Sequence, residues 1–236
     1  MKNLFLFTSL IIFMSLFFTI SSFSQTKKEK KVETIGIKSG MYKGSESKEA
    51  TQYFDQASEK SIAKDYKGAI KLYEKALKED PNFIEAYDNI GLSYRKLGDF
   101  KNAISNYKKS IELYPEGRMA HMNLGIVYNI QKEYDKAIAE YEIIQKNDPE
   151  DPEGYYGAIS PYLMKGDFKS AIKTATKTVE LYEATNSEYL SQAQYLLGIS
   201  YYYDKDKVNA KTYIEQAKKN GFNNVPQDIL KELEIE

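Results

Sequence analysis

Residues Pro81 to Pro115 read PNFIEAYDNIGLSYRKLGDFKNAISNYKKSIELYP and set a pattern that the rest of the chain repeats. Apolar or small residues recur in two runs with the spacing i, i+3, i+4, i+7, which marks one face of a helix. Asp99, just after the turn between the runs, is a suitable N-cap because its carboxylate can accept hydrogen bonds from free backbone N–H groups. Pro115 ends the unit, because proline cannot continue the helical hydrogen-bond ladder. The two faces consist of Tyr87, Ile90, Gly91 and Tyr94, and of Phe100, Ala103, Ile104 and Tyr107.

The same unit recurs along the chain with a fixed period of 34 residues. Alanine, isoleucine, aromatic, acidic and proline positions all keep this period, so the agreement is not a matter of one residue type. The chain is therefore predicted to be a series of similar helical hairpins. The aligned sets are Ala69, Ala103, Ala137 and Ala171; Ile70, Ile104, Ile138 and Ile172; Tyr66, Phe100, Tyr134 and Phe168; Asp65, Asp99, Glu133 and Asp167; and Pro81, Pro115 and Pro149.

This period, with small residues and prolines at these offsets, resembles the tetratricopeptide repeat (TPR). The resemblance implies an all-α fold, a right-handed α-solenoid of about five TPR-like helical hairpins with a C-terminal capping helix. One hairpin cannot bury its apolar face alone, but stacked neighbours can. We predict repeats at about residues 50–81, 84–115, 118–149, 152–184 and 188–222, followed by a capping helix at 223–236.

The fourth repeat departs from this pattern. Ile159 stands where Gly91 stands in the second repeat, and Pro161 falls inside the predicted first helix, where it removes a hydrogen bond. Five residues are inserted before the fifth repeat. Thr185 and Glu188 there match a capping box, which predicts a helix start at this point.

The first 24 residues have the features of a secretory signal peptide. Lys2 precedes a run from Leu4 to Ile20 that is almost wholly apolar, and small residues at Ser22 and Ser24 suit cleavage before Gln25. The sequence has no cysteine, which excludes a lipoprotein anchor. These features predict export across the inner membrane to a periplasmic or secreted location.

An uncleaved membrane anchor is the alternative interpretation of this run. The run is slightly short for a span, which needs about 20 residues. The lysine-rich residues 27–31 put more positive charge after the run than before it, and this disfavours translocation of that side. Residues 25–49 are polar, punctuated by glycine and without helical periodicity, so we predict a flexible linker there.

Composition and motifs argue against catalysis, cofactors and nucleic acid. Basic and acidic residues nearly balance, 33 against 34, and the lysine pairs are isolated rather than clustered as a nucleic-acid surface requires. Without cysteine there is no thiolate nucleophile or cysteine metal site. The single histidine, His121, occupies the repeat position of Tyr87, so we expect it to pack rather than to react. We predict no catalytic residue, no cofactor and no metal.

A protein-binding surface is what the TPR resemblance implies instead. In that family the concave groove is lined mainly by the first helix of each hairpin, and on this chain that groove is largely apolar and aromatic. Apolar and aromatic side chains suit contact with a segment of another protein. The predicted partner-binding residues are Asp88, Leu92, Arg95, Met122, Ile126, Asn129, Tyr156, Leu163, Tyr195, Ile199 and Tyr202.

Two interpretations of the tyrosines in this groove stay open: contact with a partner, or packing against neighbouring helices. The family's clamp for acidic chaperone tails is not expected here, because Phe54 and Ser58 replace its lysine and asparagine in the first repeat. The sequence favours a non-catalytic scaffold or adaptor that binds a partner protein. The alternatives are a membrane-anchored envelope assembly factor with the same groove, and an enzyme or small-ligand binder built on helical hairpins.

Overall fold

The computed structural model describes Tyr42 and residues 44–235. The predicted signal peptide at residues 1–24 and most of the predicted linker lie outside the described residues. The described part consists of eleven α-helices without a strand, which confirms the all-α class. The helices are α1 (Lys48–Ile62), α2 (Tyr66–Glu79), α3 (Ile84–Lys96), α4 (Phe100–Leu113), α5 (Arg118–Ile130), α6 (Tyr134–Asn147), α7 (Pro152–Lys165), α8 (Phe168–Ala184), α9 (Leu190–Tyr203), α10 (Lys207–Lys219) and α11 (Gln227–Glu232).

The first ten helices pack as five consecutive hairpins. Each odd-numbered helix makes its most extensive contact with the helix that follows it, and the second helix of each hairpin then packs on the first helix of the next. Contacts between hairpins are therefore made with nearest neighbours, the arrangement of a solenoid. None of the helices described is long and apolar enough to span a membrane.

The turns inside the hairpins share one backbone conformation. The residue two positions before each second helix has a positive φ, at Gly98 and Gly166 and also at Lys64, Lys132 and Lys205. An acidic residue follows each of them. Asp65, Asp99, Asp167 and Asp206 each accept a hydrogen bond from the third backbone N–H of the next helix, which confirms Asp99 as an N-cap.

The two helices of a hairpin fit because a small residue on the first faces a large one on the second. A Cβ added to Gly91 would lie 2.6 Å from a ring carbon of Tyr107, and one added to Gly125 would lie 2.9 Å from Tyr141. In the fourth hairpin the equivalent pair is Ile159 and Ala175, so the large residue has moved to the first helix. The departure at Ile159 is therefore compensated within its own hairpin.

The C-terminal end carries the largest apolar cluster. Ile214 of α10 is fully buried, and the segment after α10 adds Phe222 and Val225 before α11 adds Ile229. The predicted capping box between α8 and α9 is wrong. Thr185 is the C-cap residue of α8, and its hydroxyl donates to the carbonyl of Leu181 at 3.0 Å.

Candidate protein-binding groove

The first helices of the hairpins form the inner face of the stack. Helices α3, α5, α7 and α9 contact one another in succession, whereas no second helix makes a contact of that extent with the next second helix in residues 44–235. The stack is thus shorter along the odd-numbered helices and curves toward them. This inner face is the candidate groove that the sequence predicts.

The predicted partner-binding residues all lie on the odd-numbered helices, but they differ in exposure. Six are buried and five are partly exposed. Their assignment to partner contact stays a prediction, and the accessible members are the ones a partner could reach directly. The buried residues are Asp88, Arg95, Tyr156, Leu163, Tyr195 and Ile199, and the partly exposed ones are Leu92, Met122, Ile126, Asn129 and Tyr202.

The middle of the groove is an accessible apolar strip. Leu92 of α3 and Ile126 of α5 occupy equivalent positions in successive hairpins, and Met122 lies one turn before Ile126. All three side chains are partly exposed. Asn129 closes this strip on the α7 side, where its amide donates to the hydroxyl of Ser160 at 3.2 Å.

The C-terminal end of the groove is filled by the chain itself. The rings of Tyr195 and Phe222 stack with their centroids 4.2 Å apart, and the hydroxyl of Tyr202 donates to Glu232 of α11 at 2.6 Å. The ring of Tyr156 packs on Tyr182 of α8. Side chains that the sequence placed on a groove therefore serve the core at this end.

Buried polar groups lie beneath the N-terminal part of the strip. The guanidinium of Arg95 donates to the amide oxygen of Asn123 at 3.3 Å, which links α3 to α5. Tyr107 is fully buried next to it. Burial raises the pKa of Tyr107, and the charge of Arg95 opposes the rise, so the phenol stays neutral at physiological pH.

Asp88 is the most perturbed carboxyl group of the groove. It is 7% exposed, and burial raises its pKa to about 6. The hydroxyl groups of Ser110 and Tyr42 and the charge of His121 oppose this rise, while the charge of Glu85 adds to it. The side chain therefore changes from its neutral to its charged form near pH 6.

His121 packs in the interior, and its ring has two acceptors as neighbours. Nε2 lies 2.9 Å from the carbonyl oxygen of Pro115, and Nδ1 lies 2.6 Å from a carboxylate oxygen of Glu140. Burial lowers the pKa of His121, but the Glu140 carboxylate and the Pro115 carbonyl raise it by more, so the net pKa lies above its usual value. These partners give the imidazole a structural role in joining α5 to α6.

Sequence reasoning missed the contribution of the stretch before α1. Residues 25–49 were predicted to be a flexible linker, but the structure places Tyr42 and Gly44 against α3 and starts α1 at Lys48. A lone tyrosine in a polar stretch without periodicity carries no signal for this.

Residues of the described range do not form a cluster of three or more histidine and acidic side chains able to hold a metal ion.

Comparison with protein families identifies the repeats. A family model of the tetratricopeptide repeat matches residues 89–152, a TPR repeat model matches residues 63–98, and another tetratricopeptide repeat model matches residues 192–220. The chain thus carries tetratricopeptide repeats, and its fold is that of a TPR solenoid. No functionally curated protein shows significant sequence similarity to it.

Solved structures with a similar fold include MamA, PilF and YrrB. MamA from Desulfovibrio magneticus RS-1 superposes with a TM-score of 0.66 at 20% identity, covering 75% of this chain and 97% of its own. PilF of Pseudomonas aeruginosa gives 0.64 at 17% identity, with 74% and 78% covered. YrrB, described as a TPR protein with an unusual peptide-binding site, gives 0.59 at 20% identity, with 73% and 86% covered. These likenesses show a shared fold.

Proposed function

We propose that this protein is a non-catalytic scaffold or adaptor that is exported across the inner membrane and binds a segment of a partner protein in its inner groove. The observation that carries the proposal is the strip formed by Leu92, Met122 and Ile126. These apolar side chains are partly exposed on the inner face of a stacked helical fold. Such a strip suits the apolar side of an extended or helical segment.

The comparisons support a binding role without naming the partner. TPR proteins bind other proteins as a rule, and YrrB is described by its peptide-binding site. The described residues offer no metal cluster, and the sequence has no motif for nucleophilic catalysis. Protein binding is the function that these residues can perform.

Affinity capture from the native envelope tests the groove. The double variant Met122→Glu/Ile126→Glu places two charges on the strip, and Ile143→Glu places one at an exposed position on α6, a second helix. We expect the double variant to lose the captured partner and the control to keep it, with unchanged thermal stability in both, which is checked because Met122 also packs against a core cluster. Equal capture by all three proteins would refute the groove proposal. Alanine variants of Tyr156 or Tyr195 would be ambiguous, because both rings belong to the core.

Mass spectrometry of the mature N-terminus tests the localisation. Cleavage before Gln25 is the expected result and gives a periplasmic or secreted protein. A chain that still begins at Met1 would support the alternative, an envelope assembly factor anchored by its N-terminal segment that uses the same groove. The lysines at 27–31 are the feature that favours this alternative.

A further inference from the structure

The segment before α1, made of Tyr42 and residues 44–47, lies against the end of α2 and the start of α3. The backbone N–H of Gly44 donates to a carboxylate oxygen of Glu85 at 3.0 Å, and the hydroxyl of Ser45 donates to the carboxylate of Asp80. Ser47 caps α1, so this pre-helix segment is tied directly to the first hairpin. It therefore lies at the N-terminal end of the groove, close to Glu85 and Asp88 of α3.

Tyr42 enters a pocket between the second and third hairpins. Its ring meets that of Tyr114 edge to face, with centroids 5.7 Å apart. Its hydroxyl lies where a Cβ on Gly117 would be only 2.9 Å away, so the pocket has room for the phenol because residue 117 has no side chain. Asp88 and Ser110 stand near the hydroxyl. We call the site formed by Asp88, Ser110, Tyr114 and Gly117 the Tyr42 pocket.

The polar end of this pocket is buried and poorly satisfied. Among the described residues, both carboxylate oxygens of Asp88 and the hydroxyl groups of Ser110 and Tyr42 are buried and make no hydrogen bond of strict geometry, although both hydroxyl groups face the carboxylate and oppose the rise of its pKa. The phenol lies near suitable acceptors but does not complete a well-formed bond with them. Because a phenol hydroxyl can both donate and accept a hydrogen bond, a tyrosine is a suitable ligand for this end of the pocket.

We propose that the Tyr42 pocket is the anchor site for a tyrosine of an extended partner segment, and that the pre-helix segment is its built-in competitor. This inference rests on the proposed function and names the partner's chemistry at one end of the groove. The pre-helix segment competes because its link to α1 gives it a high effective concentration at the pocket. The partner must displace it, and its chain then has access to the apolar strip at Leu92 and Met122.

A peptide-binding measurement on the full chain tests this proposal. The probe is a fluorescein-labelled peptide with the sequence of residues 42–49, YKGSESKE. We expect it to bind the Tyr42→Ala protein at least about tenfold more tightly than the wild type, because the variant's pocket is vacant. Adding Gly117→Ala to the variant should abolish this gain, since the new methyl group occupies the space of the phenol hydroxyl.

Two outcomes would overturn the inference. One is equal binding of the peptide to the wild type and to Tyr42→Ala. The other is binding that survives when alanine or lysine replaces the tyrosine of the peptide. Loss of the partner in the Met122→Glu/Ile126→Glu variant together with either outcome would leave the groove proposal standing. Capture that is unchanged in that variant would refute the groove proposal itself, whatever the peptide does.

Discussion

At the scale of single residues, Asp88 is a buried acidic group of the groove that lowers the stability of the fold at neutral pH. Its carboxyl is buried against Ser110 and Tyr42, and its pKa is about 6 in place of 3.8. The folded protein therefore binds a proton there more tightly than the unfolded chain does. The contribution of Asp88 to stability is therefore greatest below its pKa in the unfolded chain, 3.8, and is lost as the pH rises through about 6.

Asp88→Asn is expected to remove this pH dependence. The amide stays neutral, so the variant should be more stable than the wild type at pH 7.5 by about 1–3 kcal/mol. The gain should shrink as the pH falls toward 4. Urea denaturation between pH 4 and pH 7.5 measures it. His121 titrates in both proteins, and Asp88→Asn removes one of the charges that raise the pKa of His121. Parallel pH profiles for the two proteins would show that Asp88 is not a buried acid.

Lys205 tests the shared conformation of the turns. It has a φ of 68° at the position where Gly166 has a φ of 83°. Left-handed backbone is unfavourable for a residue with a Cβ. Lys205→Gly should stabilise the protein by about 0.5–1 kcal/mol, and Gly166→Ala should destabilise it by a similar amount. Thermal melting compares the two, and a loss of stability in Lys205→Gly would contradict this account of the turns.

At the scale of the helices, the hairpins share a rule about volume rather than about residue type. Gly91 faces Tyr107, Gly198 faces Ile214, and the fourth hairpin reverses the sizes with Ile159 and Ala175. The period of the sequence reveals each position separately. It does not reveal that two departures at different positions compensate each other, because that depends on which side chains meet.

A double-mutant cycle tests this rule by giving the second hairpin the pair of the fourth. Gly91→Ile alone should destabilise by about 1–3 kcal/mol through overpacking against Tyr107. Tyr107→Ala alone should cost about 3–5 kcal/mol through the cavity it leaves. The loss of stability in the double variant should be smaller than the sum of the two single losses by at least about 1 kcal/mol. Strictly additive losses would mean that the two residues do not share one space.

Particular residues show how far the sequence could predict the helices and the groove. The 34-residue period places the hairpins, and the acidic residue before each second helix is recognisable as a cap because capping is a local interaction. The docking of Gly44 on Glu85 spans 41 residues and follows no period. The burial of Tyr195 depends on Phe222, which lies beyond the last repeat. Long-range contacts of single residues decide which groove positions stay open.

At the scale of the whole molecule, the C-terminal segment protects the end of the solenoid. Ile229 of α11 is buried in the apolar cluster of the last hairpins, whereas Lys231 on the same helix is exposed. In a fold with nearest-neighbour contacts, damage at one end should be felt mainly by the adjoining hairpin. Cooperation with the far end should be weak.

Ile229→Asp is expected to destabilise the last hairpin by about 2–3 kcal/mol, because it buries an unpaired charge. Hydrogen exchange should accelerate in α9 and α10 and stay unchanged in α1 and α2. Lys231→Asp is the matched control and should leave both regions as they are. A uniform loss of protection from α1 to α10 would indicate a single cooperative domain in place of a stacked array.

The central claim is that the inner face of this stack is where a partner protein is held. Site-specific photo-crosslinking in the native envelope tests it, with a photoreactive residue at Ile126 of α5 or at Ile143 of α6. The two positions lie on the first and second helix of the same hairpin, and Ile143 is exposed. The account predicts a discrete protein adduct from position 126 that is absent from position 143 and is lost with Met122→Glu. The same adducts from both positions, or none from position 126, would contradict it.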